Sequence, residues 1–321
     1  MKIVVLDGRT MGASDNPWTP LTDLGDVAVH DSTAPAQLLE RAKDADVLLT
    51  NKTPLNGETI AALPNLKLIA TMSTGYNIVD IEVAAKRGIP VCNVPGYSTP
   101  AVVQHTMALM LELASAVCLH ARAVRDGKWC NIKDFCFWER PLVELAGKTL
   151  GVVGFGDIGG GVGAAASALG MHVAAYAPRP KPKPAYGPFE FVDLDELLRR
   201  SDVVSLHCPL TPENEGMINA ERIALMKPTA LLINTARGQL VNEADLAAAL
   251  KDGRIGGAGL DTVTAEPMRT DNPLMDAPNC VVTPHIAWAT RESRVRLMER
   301  AADNVRAFLA GSPTNVVNGV S

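Results

Sequence analysis

Leu150-Gly151-Val152-Val153-Gly154-Phe155-Gly156-Asp157-Ile158-Gly159 is an apolar run that ends in three glycines at positions i, i+2 and i+5. The run has the composition of a buried strand, and residues 160–169 behind it are small and apolar enough for a helix. Strand, tight turn and helix N-terminus in that order make a cradle for a dinucleotide pyrophosphate. Gly154 permits the turn, Gly156 lets backbone approach the phosphates, and Gly159 lets helix pack close on strand. The N–H groups that open the helix, around Asp157 and Ile158, then meet the anion. Gly160, Gly161 and Gly163 each cost about 1 kcal/mol of helix propensity relative to alanine, a cost that close backbone contact offsets. Asp157 departs from the ideal pattern, because its carboxylate opposes phosphate charge and lowers the expected affinity.

Outward from this turn, short β-branched runs alternate with helical patterns. They fall at 3–6, 47–50, 66–71 and 91–94 before the turn, and at 173–177, 203–207, 231–235, 255–261 and 281–284 after it. Alternation of this kind specifies parallel α/β sheets, and two series specify two of them. The boundary is placed near Tyr97-Ser98-Thr99-Pro100, where Ser98 or Thr99 can cap a helix that accepts Pro100 in its first turn. That helix carries Val103, Met107, Met110, Leu111, Ala114 and Val117 at helical spacing. A last helix is expected over 291–309, apolar at Leu297, Met298, Val305 and Phe308, returning to the first domain.

Between these lies an irregular stretch, 129–140, holding Trp129, Phe135, Phe137 and Trp138. Two readings fit it, an arm that packs on a second subunit or a cover over its own core. Pro178, Pro180, Pro182, Pro184 and Pro188 mark a surface loop that is not helical.

Composition excludes several classes. A chain of 321 residues, 47% hydrophobic and 20% charged, buries sizeable cores. A formal charge of −5 with no basic stripe argues against nucleic acid and anionic membranes as partners. The apolar stretch 102–119 is interrupted by Gln104, His105 and Glu112, too polar to span a bilayer. The six cysteines lack metal-ligand spacing and behave as small hydrophobes, which implies a reducing compartment and no metal. The chain opens on a core strand, Lys2-Ile3-Val4-Val5-Leu6-Asp7, without a secretory layout, so a cytoplasmic protein is expected.

The second strand behind the turn identifies the cofactor more closely. A free ribose 2′-hydroxyl calls for an acidic residue about 20 positions beyond the glycines. Here the strand ends Tyr176-Ala177-Pro178-Arg179, with Lys181 and Lys183 behind it. Ala177 cannot accept from a ribose hydroxyl and Arg179 can neutralise a 2′-phosphate, so NADP(H) is predicted in preference to NAD(H).

Three further residues sit at strand carboxyl ends, where open α/β sheets build their sites. Arg237 follows 231–235 and can grip a carboxylate with paired hydrogen bonds, a geometry closed to lysine. Glu266 and His285 follow the next two strands. Each alone has an ordinary explanation: a surface ion pair, a solvated loop acid, a satisfied histidine beside Pro284. His105 and His207 are read as structural, and Asp261 as orienting the nicotinamide side of the cofactor.

The ordered motifs Ser73-Thr74-Gly75-Tyr76-Asn77-Ile78-Val79-Asp80, Glu144-Leu145-Ala146-Gly147-Lys148-Thr149, His207-Cys208-Pro209-Leu210-Thr211, Asn234-Thr235-Ala236-Arg237-Gly238, Glu266-Pro267 and Thr283-Pro284-His285 resemble those of the D-isomer-specific 2-hydroxyacid dehydrogenases. Thr50-Asn51-Lys52-Thr53-Pro54 and Phe135-Cys136-Phe137-Trp138-Glu139 are most similar to the glycerate dehydrogenase and hydroxypyruvate/glyoxylate reductase branch.

The resemblance implies a flavodoxin-like substrate domain, 1–98 plus 288–321, a dinucleotide-binding domain, 99–287, a cleft between them, and a homodimer. It assigns Arg237 to the substrate carboxylate and keto oxygen, His285 to acid–base work and Glu266 to pairing with the imidazole. It places backbone N–H groups of Ser73, Thr74 and Gly75 on the carboxylate and Asn51 against the substrate's remaining group. Cys208, Pro209, Thr235, Ala236 and Asp261 fall to the cofactor.

The substrate implied is a small 2-keto acid or its 2-hydroxy acid, reduced by hydride transfer. An imidazole with an ordinary pKa of about 6.5 is mostly neutral at pH 7, and a carboxylate such as Glu266 favours its charged form. The carboxy-terminal-binding corepressors, which sense dinucleotides, resemble the same architecture, as do formate dehydrogenases, with glutamine in place of Glu266, and phosphoglycerate dehydrogenases.

Overall fold

The computed structural model describes residues 1–12, 14–179 and 181–320. The chain divides into two compact units, Met1–Ser98 with Ala289–Ser321, and Thr99–Trp288.

The first unit is built on five strands: β1 (Lys2–Val5), β2 (Asp26–Val29), β3 (Val47–Thr50), β4 (Leu68–Thr71) and β5 (Val91–Cys92). Their order is β2-β1-β3-β4-β5 and every pairing is parallel, the flavodoxin-like arrangement. β3 and β4 are buried along their whole length, as expected of central strands covered on both faces. The helix Arg291–Leu309 belongs to this unit and buries Leu297, Met298, Ala301, Ala302 and Val305. Phe308 on the same helix is half-buried.

The second unit has seven strands: β6 (Thr149–Val153), β7 (His172–Tyr176), β8 (Phe189–Phe191), β9 (Val203–Leu206), β10 (Leu231–Asn234), β11 (Gly257–Leu260) and β12 (Cys280–Val282). Their order, β12-β11-β10-β9-β6-β7-β8, is again parallel throughout. The winding reverses between β6 and β9, which is where open α/β sheets place their ligands.

Two strands were not expected. β2 and β8 are sheet edges with half-exposed residues, so neither shows a buried β-branched run. β8 instead carries an aromatic cluster. Phe189 and Phe191 lie 4.9 Å apart by ring centroid, and Phe155 of the glycine turn sits 5.0 Å from Phe189 and 5.5 Å from Phe191.

The helix after the boundary runs Thr99–Ser115 and stops there, because Ala116 takes a left-handed conformation (φ 48°) before a second helix, Val117–Arg125. The expected apolar face needs correction. Val102, Leu109, Met110, Leu113 and Ala114 are buried, whereas Leu111 is 41% and Val117 61% exposed. The break at Ala116 turns Val117 out of the face that the earlier turns bury. Among the described residues no single helix is long and apolar enough to cross a membrane, and these two are bent by 59° at their junction.

Beyond Trp129–Asn131, one 3₁₀ turn, the stretch to Arg140 has no regular structure. Trp129, Phe135 and Trp138 are 51%, 89% and 66% exposed, so these side chains do not cover a core of their own chain. The loop after β7 is irregular as expected, with Pro178, Pro182 and Pro184 within it and Pro188 leading into β8; Pro180 lies outside the described residues.

Candidate active site

In the second unit the candidate residues collect on one edge of the sheet, at the carboxyl ends of six neighbouring strands. Gly154–Gly159 follow β6, Ala177 and Arg179 follow β7, and Cys208 and Pro209 follow β9. Thr235, Ala236 and Arg237 follow β10, Asp261 and Glu266 follow β11, and His285 follows β12.

The glycine turn fits a pyrophosphate. Gly154 has φ +95°, and a Cβ there would lie 2.6 Å from the Cys208 backbone nitrogen. A Cβ on Gly159 would strike the Gly154 carbonyl at 2.1 Å, whereas one on Gly156 would meet nothing within 4 Å. Gly154 and Gly159 are thus required by the chain itself, and Gly156 faces open space where a ligand can approach. The helix Asp157–Ala168 begins without a side-chain cap, which leaves its first N–H groups and its dipole to an anion. Asp157 is exposed at the first helical position. The structure thus keeps its charge at a helix start, a favourable place for an anion.

Behind Gly154, the Cys208 loop is tied by Asn214, whose Nδ2 donates to the Pro209 carbonyl at 2.8 Å and whose Oδ1 accepts from Thr211 N–H at 2.8 Å. His207 Nε2 lies 2.8 Å from Ser205 Oγ, and burial pushes its pKa down to about 3. That shift favours the neutral ring near pH 7.

Arg237 is held by its turn. Buried Asn234 accepts from Ala236 N–H at 3.0 Å and donates to the Arg237 carbonyl at 2.8 Å. The exposed guanidinium donates from Nη1 to the Ala236 carbonyl at 2.7 Å, which leaves its other N–H groups without an acceptor among the described residues. Next to it, Gly238 packs so closely on the loop after β11 that a Cβ would lie 2.0 Å from the Val263 carbonyl carbon.

His285 Nδ1 and Glu266 Oε2 are 2.7 Å apart, both partly exposed. The histidine has φ +54°, a left-handed conformation that few non-glycine residues adopt, histidine being among those that do so more readily. It is fixed there by hydrogen bonds from its N–H to the carbonyls of Asp261 and Thr283, each 2.9 Å. Asp261, 1% exposed, underlies this turn. It accepts from Thr283 Oγ1 at 2.6 Å and from the N–H groups of Ile286 and Ala287 at 2.9 and 2.8 Å. His105 Nε2 completes the cluster, 2.9 Å from Thr283 Oγ1 and 3.4 Å from Asp261 Oδ1. Burial works against the Asp261 charge, but hydrogen bonds from His105, Thr283, Ala287 and Ile286 outweigh it and hold the carboxyl below its usual range.

In the first unit, Asn51 and the Ser73-Thr74-Gly75 turn follow the adjacent strands β3 and β4. Asp7 organises the first loop. Its carboxylate accepts from the N–H groups of Asn51, Lys52 and Thr53 at 2.8, 2.6 and 2.6 Å, and from Thr53 Oγ1 at 3.0 Å. Asn51 Nδ2 donates to Thr10 Oγ1 at 3.2 Å. The second turn is fixed by Asn93, which donates to the Thr74 carbonyl at 2.8 Å, and by Thr74 Oγ1, which donates to the Val94 carbonyl at 3.0 Å. The N–H groups of Ser73, Thr74 and Gly75 have no acceptor among the described residues, so three backbone donors are left for an anion. Asp7 and Asn214 are supports that motif reading does not single out.

Comparison with known proteins identifies the chain's relatives. Residues 107–287 match the model of the D-isomer specific 2-hydroxyacid dehydrogenase NAD binding domain. The chain is 47% identical to a hydroxypyruvate reductase of Blautia hydrogenotrophica, over 99% of this chain and 100% of that one. It is 42% identical to a glycerate dehydrogenase of Methylorubrum extorquens, over 98% of each. In the crystal structure of the TT0316 protein from Thermus thermophilus, 39% identical, the match covers 99% of this chain and 100% of that one at a TM-score of 0.88.

Fold and relatives together define an oxidoreductase that uses a nicotinamide dinucleotide. The chain belongs to the D-isomer specific 2-hydroxyacid dehydrogenase family.

Proposed function

We propose that this enzyme reduces a small 2-keto acid, hydroxypyruvate or glyoxylate, to the D-2-hydroxy acid, and that His285 is its acid–base group. The observation that carries the reading is the 2.7 Å contact between His285 Nδ1 and Glu266 Oε2 on the sheet edge that also carries Arg237. With Nδ1–H donated to the carboxylate, Nε2 is the nitrogen that exchanges a proton with substrate oxygen. Glu266 fixes the ring's orientation. Arg237 holds the carboxylate and stabilises the negative charge that grows on the keto oxygen.

The second unit holds the cofactor through Gly154, Gly156, Asp157, Ile158 and Gly159, with Cys208, Pro209, Thr235, Ala236 and Asp261 along its length. The bound nicotinamide supplies the hydride. Exposed Arg179 beyond Ala177 supports NADP(H) over NAD(H). The first unit supplies the amides of Ser73, Thr74 and Gly75 to the carboxylate, and Asn51 to the small polar group of the substrate.

A homodimer is proposed through the exposed Trp129, Phe135 and Trp138, an apolar surface of the kind that marks protein contacts. The free cysteines suit a cytoplasmic location.

Steady-state rates with hydroxypyruvate, glyoxylate, pyruvate and a branched 2-keto acid, each with NADH and NADPH, test the substrate and cofactor readings. The expected ranking puts hydroxypyruvate or glyoxylate with NADPH first. No turnover of any 2-keto acid would reject the assignment.

A further inference from the structure

One side chain ties the loop that carries Glu266 at two places. Glu243, the first residue of the helix Glu243–Lys251, is half-buried and uses both carboxylate oxygens on that loop. Oε1 accepts from Thr264 N–H at 2.5 Å and Oε2 accepts from Asn272 Nδ2 at 2.8 Å. These partners stand two residues before Glu266 and six after it, so one side chain spans the segment. Gln239 adds a bond from Nε2 to the Thr264 carbonyl at 3.1 Å, and Asn272 Oδ1 accepts from Leu274 N–H at 2.9 Å. Just ahead of the segment, Val263 N–H donates to Glu266 Oε1 at 3.4 Å, a long bond.

We infer that Glu243 is a positioning residue for the acid–base pair: by holding Thr264 and Asn272 it sets where the Glu266 carboxylate meets His285. Hydrogen bonds to a charged acceptor are stronger than neutral ones. A carboxylate displaced by about 1 Å forfeits much of its hold on the imidazole proton. The inference rests on the proposed His285–Glu266 function.

The experiment compares pH profiles of kcat for keto-acid reduction in wild type, Glu243→Ala, Glu243→Gln, Glu266→Gln and the Glu243→Ala/Glu266→Gln double variant, with Tm and cofactor KM measured alongside. Glu243→Ala is expected to lower kcat between about 10- and 10²-fold and to move the falling limb toward lower pH, as Glu266→Gln does. Cofactor KM should stay within about twofold of wild type, since the glycine turn lies on other strands. Glu243→Gln, whose amide oxygen still accepts from Thr264 N–H, should return the limb most of the way. The double variant should have the profile of Glu266→Gln alone. A Glu243→Ala enzyme with lowered Tm and an unmoved profile would make Glu243 a structural brace only and overturn the inference. If Glu266→Gln shifts the profile and Glu243→Ala does not, the inference fails and the function stands. If Glu266→Gln shifts nothing, both fall. Should Glu243→Ala fail to fold, Asn272→Ala removes one of the two bonds and carries the same comparison.

Discussion

His285 reaches Glu266 from a left-handed backbone: with φ at +54°, its Nδ1 lies 2.7 Å from the carboxylate Oε2. A non-glycine residue in that region costs about 1–2 kcal/mol, offset by the two hydrogen bonds from its N–H. Strain of this kind at a functional position points to the side chain as the reason for it. His285→Ala should lose on the order of 10²-fold or more in kcat, the scale of a positioned acid–base. Asparagine adopts the left-handed region more readily than most residues, so His285→Asn spares the backbone and should lose as much. Turnover of either variant near wild type would remove the residue from the chemistry.

Glu266→Gln tests the pair by pH. A neutral amide stabilises the imidazolium less than a carboxylate does, so the proton leaves more easily and the reductive rate falls at lower pH than in wild type. Neither Asp261 nor His207 confuses the reading. The first has its pKa held below the usual value of 3.8 and the second is pushed down to about 3, so neither changes charge near neutrality. An unmoved profile would argue against the contact as a working pair.

Cofactor choice turns on the end of β7. Arg179→Ser should raise KM for NADPH and leave that for NADH little changed, because only the 2′-phosphate needs the guanidinium. Ala177→Asp should reverse the preference, by repelling that phosphate and accepting from a ribose hydroxyl. Steady-state kinetics with both cofactors decide it. Equal or better kcat/KM of the unaltered enzyme with NADH would show that the cations of this loop are merely solvated.

Much of this architecture is legible in the chain because its central strands are buried on both faces. β3, β4, β9 and β10, each with three apolar residues in four, stand out as short apolar runs for that reason. β2 and β8 leave no such trace, since an edge strand keeps half its side chains in water and three or four residues cannot display an alternation. The buried face of Thr99–Ser115 departs from its sequence pattern at Leu111 and Val117, and nothing in the sequence announces the left-handed Ala116. Glu243 and Asp7 are silent for a different reason. Both hold backbone N–H groups, 21 residues away for Glu243 and 44 to 46 away for Asp7, and a bond to a backbone N–H requires no particular residue type there, so no sequence pattern marks it.

Acid should weaken the fold through His207. Burial pushes this histidine down to about 3, against about 6.5 for an unfolded imidazole. Between those values the unfolded chain binds a proton that the folded chain refuses, so stability falls as pH drops through the window. His207→Gln removes that linkage. Its Tm should decline less between pH 6.5 and pH 4 than that of the wild type, whatever its value at pH 7. Parallel curves would show that the folded histidine accepts its proton in the ordinary range.

Asp7→Asn addresses the substrate loop alone. The carboxylate takes three backbone N–H groups of Asn51, Lys52 and Thr53 and the Thr53 hydroxyl. An asparagine offers one oxygen to these donors and turns a second donor toward them. Loss of one or two charge-assisted bonds, at about 1.5–3 kcal/mol each, should let the loop depart from its place and carry Asn51 with it. KM for the keto acid is expected to rise about 10-fold or more, with cofactor KM unchanged, since the cofactor groups belong to the second unit. Substrates lacking a polar group at the third carbon should be affected less than hydroxypyruvate, because Asn51 is proposed to contact that group. A uniform loss across keto acids would instead make the loop a general support, with Asn51 taking no part in selection.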